Sequence, residues 1–132
     1  MKILIVNSNY YKIISKNLLI NAKKKLLWAK YSIKSIDVPG VFEVPIVIRR
    51  NITKYDAFVV LGCVIKGETP HFDIISNTSS QALMDITLKS MVPIANGILA
   101  TNNLEQAEER ASPTCLNKGK EITQSLLEMM EI

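Results

Sequence analysis

Residues 57–65, AFVVLGCVI, form an unbroken apolar run rich in β-branched side chains, and Lys66 with Gly67 ends it. A strand with one wet face alternates polar and apolar residues. A run like this one reads instead as a strand covered on both faces, as in a parallel sheet packed between helices. In open sheets of that kind the ligand crevice lies outside the carboxyl ends of the strands, so Lys66, Gly67, Glu68, Thr69, Pro70 and His71 fall beside it. His71 is the only histidine of the chain. Imidazole is the side chain that changes charge near neutral pH, and it can both give and take a proton. The alternative for His71 is a surface or helix-capping residue with no chemistry.

The flanking segments fit the same plan. Residues 2–6 (KILIV) read as a short strand ended by Asn7, Ser8 and Asn9. In the next segment Ile14, Leu18, Ala22 and Leu26 recur four apart, with Leu19 and Leu27 widening the stripe, which predicts a helix covering one sheet face. Residues 31–38 (YSIKSIDV) alternate like a less buried strand and stop at Pro39 and Gly40. Pro45 then opens a helix, where its missing N–H is no loss, and Arg49 and Arg50 lie further along. Beyond the His71 loop, a helix is expected from about residue 74 to 90 with Ile75, Ala82, Leu83 and Ile86 on one face, despite the weak helix formers at 76–80. Residues 92–100 (VPIANGILA) read as the fourth strand, with Pro93 near its start. Asn102 followed by Glu105 resembles a capping box opening a short helix that ends near Arg110, and a last helix after Asn117 is expected to bury Ile122, Leu126, Met129 and Met130. Strand and helix alternate, so the expected fold class is α/β: a four-stranded parallel sheet in a three-layer α/β/α sandwich.

A chain of 132 residues reads as one domain, 1–132, with room for a sizeable core. With 48% hydrophobic and 21% charged residues, neither disorder nor low complexity is supported. Cys63 and Cys115 are too few for a disulfide framework, and Cys63 lies inside the buried run, so a reducing, cytoplasmic setting is expected. The start, MKILIVNSNYYK, turns polar at Asn7 before it could form a signal peptide, and no run reaches membrane-spanning length. Charge is uneven: residues 1–66 carry 12 basic against 3 acidic side chains, and residues 67–132 carry 4 against 9. Lys23, Lys24, Lys25, Lys30 and Lys34 could form a nucleic-acid face, but no aromatic residues interleave that lysine run as stacking platforms, so a solvated helix surface is the preferred reading. Opposite charge on the two halves also suits identical subunits joined head to tail in a ring.

No G-x-G-x-x-G and no G-x-x-x-x-G-K-[ST] occurs, so neither phosphate-binding loop has support. Residues 117–120 (NKGK) lack the acid that would read a guanine base. One histidine and two distant cysteines offer no zinc-ligand pattern, and no metal is expected.

Three ordered motifs carry a family resemblance: VPGVFEVP at 38–45, LGCVIKGETPHFD at 61–73, and EQAEER at 105–110 followed by NKG at 117–119. Together they resemble the lumazine synthase family over nearly the whole chain. The resemblance implies a flavodoxin-like fold and a reaction without metal or organic cofactor. That reaction condenses a ribitylamino-pyrimidinedione with a dihydroxybutanone phosphate to form a ribityllumazine in riboflavin biosynthesis. It implies His71 as the catalytic proton carrier. Tyr10 would stack on the pyrimidine, Val41, Phe42 and Glu43 would hold the ribityl chain and ring, with Gly40 allowing close approach, and Cys63, Val64 and Ile65 would border the pyrimidine. Glu68 and Thr69 would offer backbone amides to the phosphate, Arg110 would grip it, and Lys118 would support the same anion. For Tyr10, Arg110 and Lys118 the alternatives are a packing residue, a helix C-terminal cation and a solvated lysine. Asn96 stands where many relatives carry an aromatic, so an amide hydrogen bond is expected there in place of stacking.

The resemblance further implies small-molecule substrates, riboflavin synthase as a partner, and a homopentamer with sites between subunits. Tyr10, Glu43 and His71 would come from one subunit and Asn96 and Arg110 from its neighbour. Residues 112–116 (SPTCL) replace a Gly- and Lys-containing bend found in many capsid-forming relatives, and the chain begins almost at its first strand; both count against an icosahedral shell and leave the pentamer untouched, with pentamer, decamer and 60-subunit shell open at this point. A non-catalytic flavodoxin-like module that holds a flavin or lumazine ring is the competing reading.

Overall fold

Side chains along a strand alternate between its two faces, and that period divides the core of this protein in two. In the computed structural model, which describes residues 1–132, Ile3, Ile5, Ala57, Val59, Leu61, Cys63 and Leu99 point to one side of the sheet and Leu4, Val6, Val38, Phe58 and Val60 to the other. The strands are β1 (Lys2–Ser8), β2 (Ser32–Val38), β3 (Ala57–Ile65) and β4 (Ile94–Thr101), all parallel, in the order β2-β1-β3-β4. Helices α1 (Lys12–Trp28), α4 (Leu104–Ala111) and α5 (Lys118–Met130) cover the first face, and α2 (Val44–Asn51) and α3 (His71–Ser90) the second. The fold is therefore the three-layer α/β/α sandwich with a four-stranded parallel sheet. Ile14, Leu18, Ala22 and Leu26 are buried in the first core, and each fully buried aliphatic of this kind stabilises the fold by about 1.5–3 kcal/mol. Every residue of β3 up to Val64 is buried, as an unbroken apolar run in a central strand requires.

Several boundaries and faces differ from expectation. Helix α3 starts at His71, not near residue 74: Pro70 enters with φ −70°, and the Ile74 N–H donates to the Pro70 carbonyl at 3.1 Å. The polar residues that weaken its sequence signal are satisfied inside the helix. The Ser79, Thr87 and Ser90 hydroxyls donate to the carbonyls of Ile75, Leu83 and Ile86, at 2.6, 2.8 and 2.7 Å. The cap of α4 is Asn103, one residue later than expected: its side chain accepts from the Gln106 N–H at 2.8 Å, and Gln106 accepts from the Asn102 N–H at 2.8 Å. Leu27 is 69% exposed, because the buried stripe of α1 runs through Leu26 and the next residue turns about 100° away. Met129 is 55% exposed; the buried face of α5 centres on Gly119, Thr123 and Leu126, and Ile122 and Met130 are only half-buried. A Cβ on Gly119 would lie 2.6 Å from the Leu18 carbonyl oxygen, so α5 crosses α1 in backbone contact.

Candidate functional site

The chain leaves β1 toward β2 and then, from β2, crosses to the opposite side for β3, so the sheet has a switch point between β1 and β3. Helices leave these strands toward opposite faces there and open a crevice at the carboxyl edge. A cavity of about 450 Å³ occupies that position, within the usual range for small-molecule sites. It is built from the segments that follow three strands. Tyr10 and Tyr11 come after β1. Pro39, Gly40 and the 3₁₀ turn Val41–Glu43 come after β2, and Cys63, Val64 and Ile65 end β3. His71 and Ile75, at the start of α3, close the wall.

The geometry explains several of these positions. His71 is the first residue of α3 and exposed, a helix-start residue rather than the loop residue expected. Ile75 follows one turn later on the same side of the helix. Val41 is buried and reaches within 3.1 Å of where a Cβ on Gly62 would stand, so the bare backbone of β3 lets the turn approach the sheet. Gly40 is extended, at φ −152°, and needs no left-handed freedom. Its missing side chain leaves room for the Glu43 carboxylate, 3.1 Å from the position of a Cβ. Burial pushes the Cys63 thiol up to about 11, and a hydrogen bond with Thr101 offsets only part of this. At neutral pH Cys63 is therefore an uncharged wall residue. Burial also raises the Tyr11 hydroxyl, with Tyr10 and Cys63 adding to the effect.

Eight of the residues expected in the site thus meet in one cavity: Tyr10, Val41, Phe42, Glu43, Cys63, Val64, Ile65 and His71. Glu68 and Thr69 are exposed in the loop before α3 and flank the cavity without lining it; the Thr69 hydroxyl oxygen accepts a long hydrogen bond, 3.4 Å, from the His71 N–H. Asn96, Arg110 and Lys118 lie outside the cavity of their own chain. Asn96 sits in mid-β4, paired in register with Val60. Its Oδ1 accepts from the Ile98 N–H at 3.0 Å, and its amide lies 3.5 Å from the Ser80 hydroxyl. Arg110 donates from Nη1 to the Gln106 carbonyl of its own helix at 3.1 Å. Lys118 pairs with Glu121 at 3.0 Å. Tyr11, Pro39 and Ile75 were not foreseen as lining residues. Ile75 follows once α3 is known to start at His71, and an aromatic at the helix start, where a polar cap is usual, is the signal for Tyr11.

A parallel α/β sheet with a mostly apolar cavity at its switch point and an imidazole in the wall defines a small-molecule-binding α/β protein of the kind that hosts proton-transfer chemistry. The family model described as 6,7-dimethyl-8-ribityllumazine synthase matches residues 1–132, and this chain belongs to that family. Among relatives, the 6,7-dimethyl-8-ribityllumazine synthase of Bartonella tribocorum is 47% identical over 120 residues, covering 89% of this chain and 80% of the relative. That of Agrobacterium fabrum is 42% identical over 137 residues, 98% of this chain and 93% of its own. That of Leuconostoc mesenteroides is 40% identical over 136 residues, 99% and 87%. Membership implies small-molecule substrates and self-association. No helix is long and apolar enough to cross a membrane.

Proposed function

We propose that the chain condenses 5-amino-6-(D-ribitylamino)uracil with 3,4-dihydroxy-2-butanone 4-phosphate to 6,7-dimethyl-8-ribityllumazine, releasing phosphate and water. The observation that carries this reading is the convergence, at the switch point of the sheet, of an aromatic ring, a glycine-backed turn, a strand end and the sole imidazole. The pyrimidine's amine attacks the ketone and loses a first water to form an imine, phosphate leaves, and a second, intramolecular condensation closes the ring with loss of a second water. Each step moves a proton, and His71, in the wall, is the group to give and take it. Holding amine and carbonyl at reacting distance in a mostly apolar cavity supplies much of the remaining acceleration.

The phosphate is assigned to the loop before α3. This helix of 20 residues directs the positive end of its dipole toward Glu68 and Thr69. Tyr10 supplies the stacking face, Val41 to Glu43 hold the ribityl chain, and Cys63 to Ile65 border the ring. Because Asn96, Arg110 and Lys118 lie outside the cavity of their own chain, the site is read as completed by a neighbouring subunit in a homopentamer. There Arg110 would grip the phosphate through paired N–H donors. The setting is cytoplasmic, and riboflavin synthase is the partner that takes the product.

Purified protein given both substrates should release phosphate only when both are present, with ribityllumazine appearing in step. Tight binding of ribityllumazine or riboflavin without phosphate release would establish the non-catalytic module instead.

A further inference from the structure

Tyr10, the ring assigned to stack on the pyrimidine, is 70% exposed. A side chain so open to solvent samples several rotamers, and fixing one on binding costs affinity unless something holds it beforehand. One contact does so: the ring of Tyr11 meets that of Tyr10 edge to face, with centroids 5.0 Å apart and planes at 77°. This is a favoured aromatic geometry.

Tyr11 is placed to act as an anchor. It is half-buried and packs against the core cluster that contains Cys63, so its ring is tied to the sheet while Tyr10 is not. It also occupies the N-cap of α1, with extended-region backbone (φ −96°, ψ 92°) and no side-chain capping bond. Ser, Thr, Asp or Asn at this position would satisfy a free N–H of the helix. No acidic residue in the first turn makes up for the loss. A local rule broken beside a binding cavity points to a role for the residue that breaks it.

We propose that Tyr11 is a positioning residue that presets the stacking face of Tyr10 for the pyrimidine ring. This rests on the lumazine synthase reading of the cavity. The test is a double-mutant cycle of Tyr10→Leu and Tyr11→Ser, with Tyr11→Phe alongside. Serine removes the ring but supplies the favoured cap, which supports the start of α1, and thermal unfolding reports folding of each variant. Tyr11→Ser should raise KM for the pyrimidine about three- to tenfold while leaving KM for the phosphate substrate within about twofold. Tyr11→Phe should restore the parent value, and in the Tyr10→Leu background Tyr11→Ser should add nothing further. An unchanged pyrimidine KM, a parallel rise for both substrates, or additive effects in the cycle would overturn the proposal.

The same cycle read as Kd for ribityllumazine, by fluorescence, needs no turnover. A parent protein that binds without releasing phosphate therefore refutes the enzymatic reading and still decides the role of Tyr11. Absence of both binding and turnover overturns both.

Discussion

Cys63 carries its thiol in the cavity wall, protonated far into the alkaline range because burial disfavours the thiolate. Its value in the fold, about 11, lies above the ordinary 9.0. The stabilisation linked to this shift is fully present below about pH 9 and is lost as pH rises through the folded value. The unfolding free energy should fall by up to about 2 kcal/mol between pH 8.5 and 11, and urea midpoints for Cys63→Ala should show a shallower decline over the same interval. The same burial makes Cys63 slow toward thiol reagents, whereas Cys115 is exposed. One thiol per chain should react quickly in the native protein and both in urea. His71 and Arg110 separate by kinetics: His71→Ala should lower kcat about 10²-fold or more, and Arg110→Ala should mainly raise KM for the phosphate substrate. Steady-state assays varying each substrate in turn check both, and unchanged constants in both variants would reject the assigned roles.

Among the elements, α1 and α5 depend on backbone contact. Gly119→Ala would drive a methyl against the Leu18 carbonyl, 2.6 Å away, and a carbonyl in mid-helix cannot swing aside as a side chain can. The helices must part, and a loss of about 1–3 kcal/mol is expected in equilibrium unfolding. The capping bond of Asn103 is worth about 1 kcal/mol by the same measurement on Asn103→Ala, with α4, the helix that carries Arg110, fraying first. Element type was legible in the sequence wherever burial sets the pattern. The apolar run of β3 and the four-residue recurrence of Ile14, Leu18, Ala22 and Leu26 each have one packing solution. What stayed hidden depends on contacts that only the fold supplies. The cap of α4 reads one residue early in the sequence, at Asn102 with Glu105, because only the fold shows that Gln106 closes the box with Asn103. Helix α3 was expected despite its serines, whose hydroxyls return to its own carbonyls, but its start at His71 was not, because Pro70 enters the turn in a way that spacing does not show. For the site, the motifs identified the wall residues from β1 to His71. Tyr11 was missed because its contacts with Tyr10 and with the core are set by the fold, and its one trace in the sequence is an aromatic where a polar cap is usual.

At the scale of the whole molecule, the surface left by one chain is incomplete. Ile13, Leu27 and Trp28 stand exposed on α1, Trp28 at 88%. The basic first half of the chain supplies one edge strand of the sheet, β2, and the acidic second half the other, β4. Unlike faces that attract favour a heterologous, head-to-tail contact, which closes into a ring when the rotation allows. The shared site proposed above requires that each interface of such a ring bring the cavity of one subunit, with His71, against the Arg110 side of the next. Neither His71→Ala nor Arg110→Ala alone then leaves an intact site, because every interface in either homo-oligomer carries the defect. Unfolded together in equal amounts and refolded, the two variants should form mixed rings in which about one interface in four unites an intact cavity with an intact arginine. Assayed with the phosphate substrate near the parent KM, where Arg110→Ala is also slow, activity should return to about a quarter of the parent level, although each protein alone stays impaired. A site contained within one chain gives no recovery under the same treatment, since each polypeptide would carry its own lesion wherever it assembled. Recovery that grows with refolding yield, and that vanishes when the two proteins are mixed without unfolding, ties the effect to subunit exchange and places His71 and Arg110 on opposite sides of one interface.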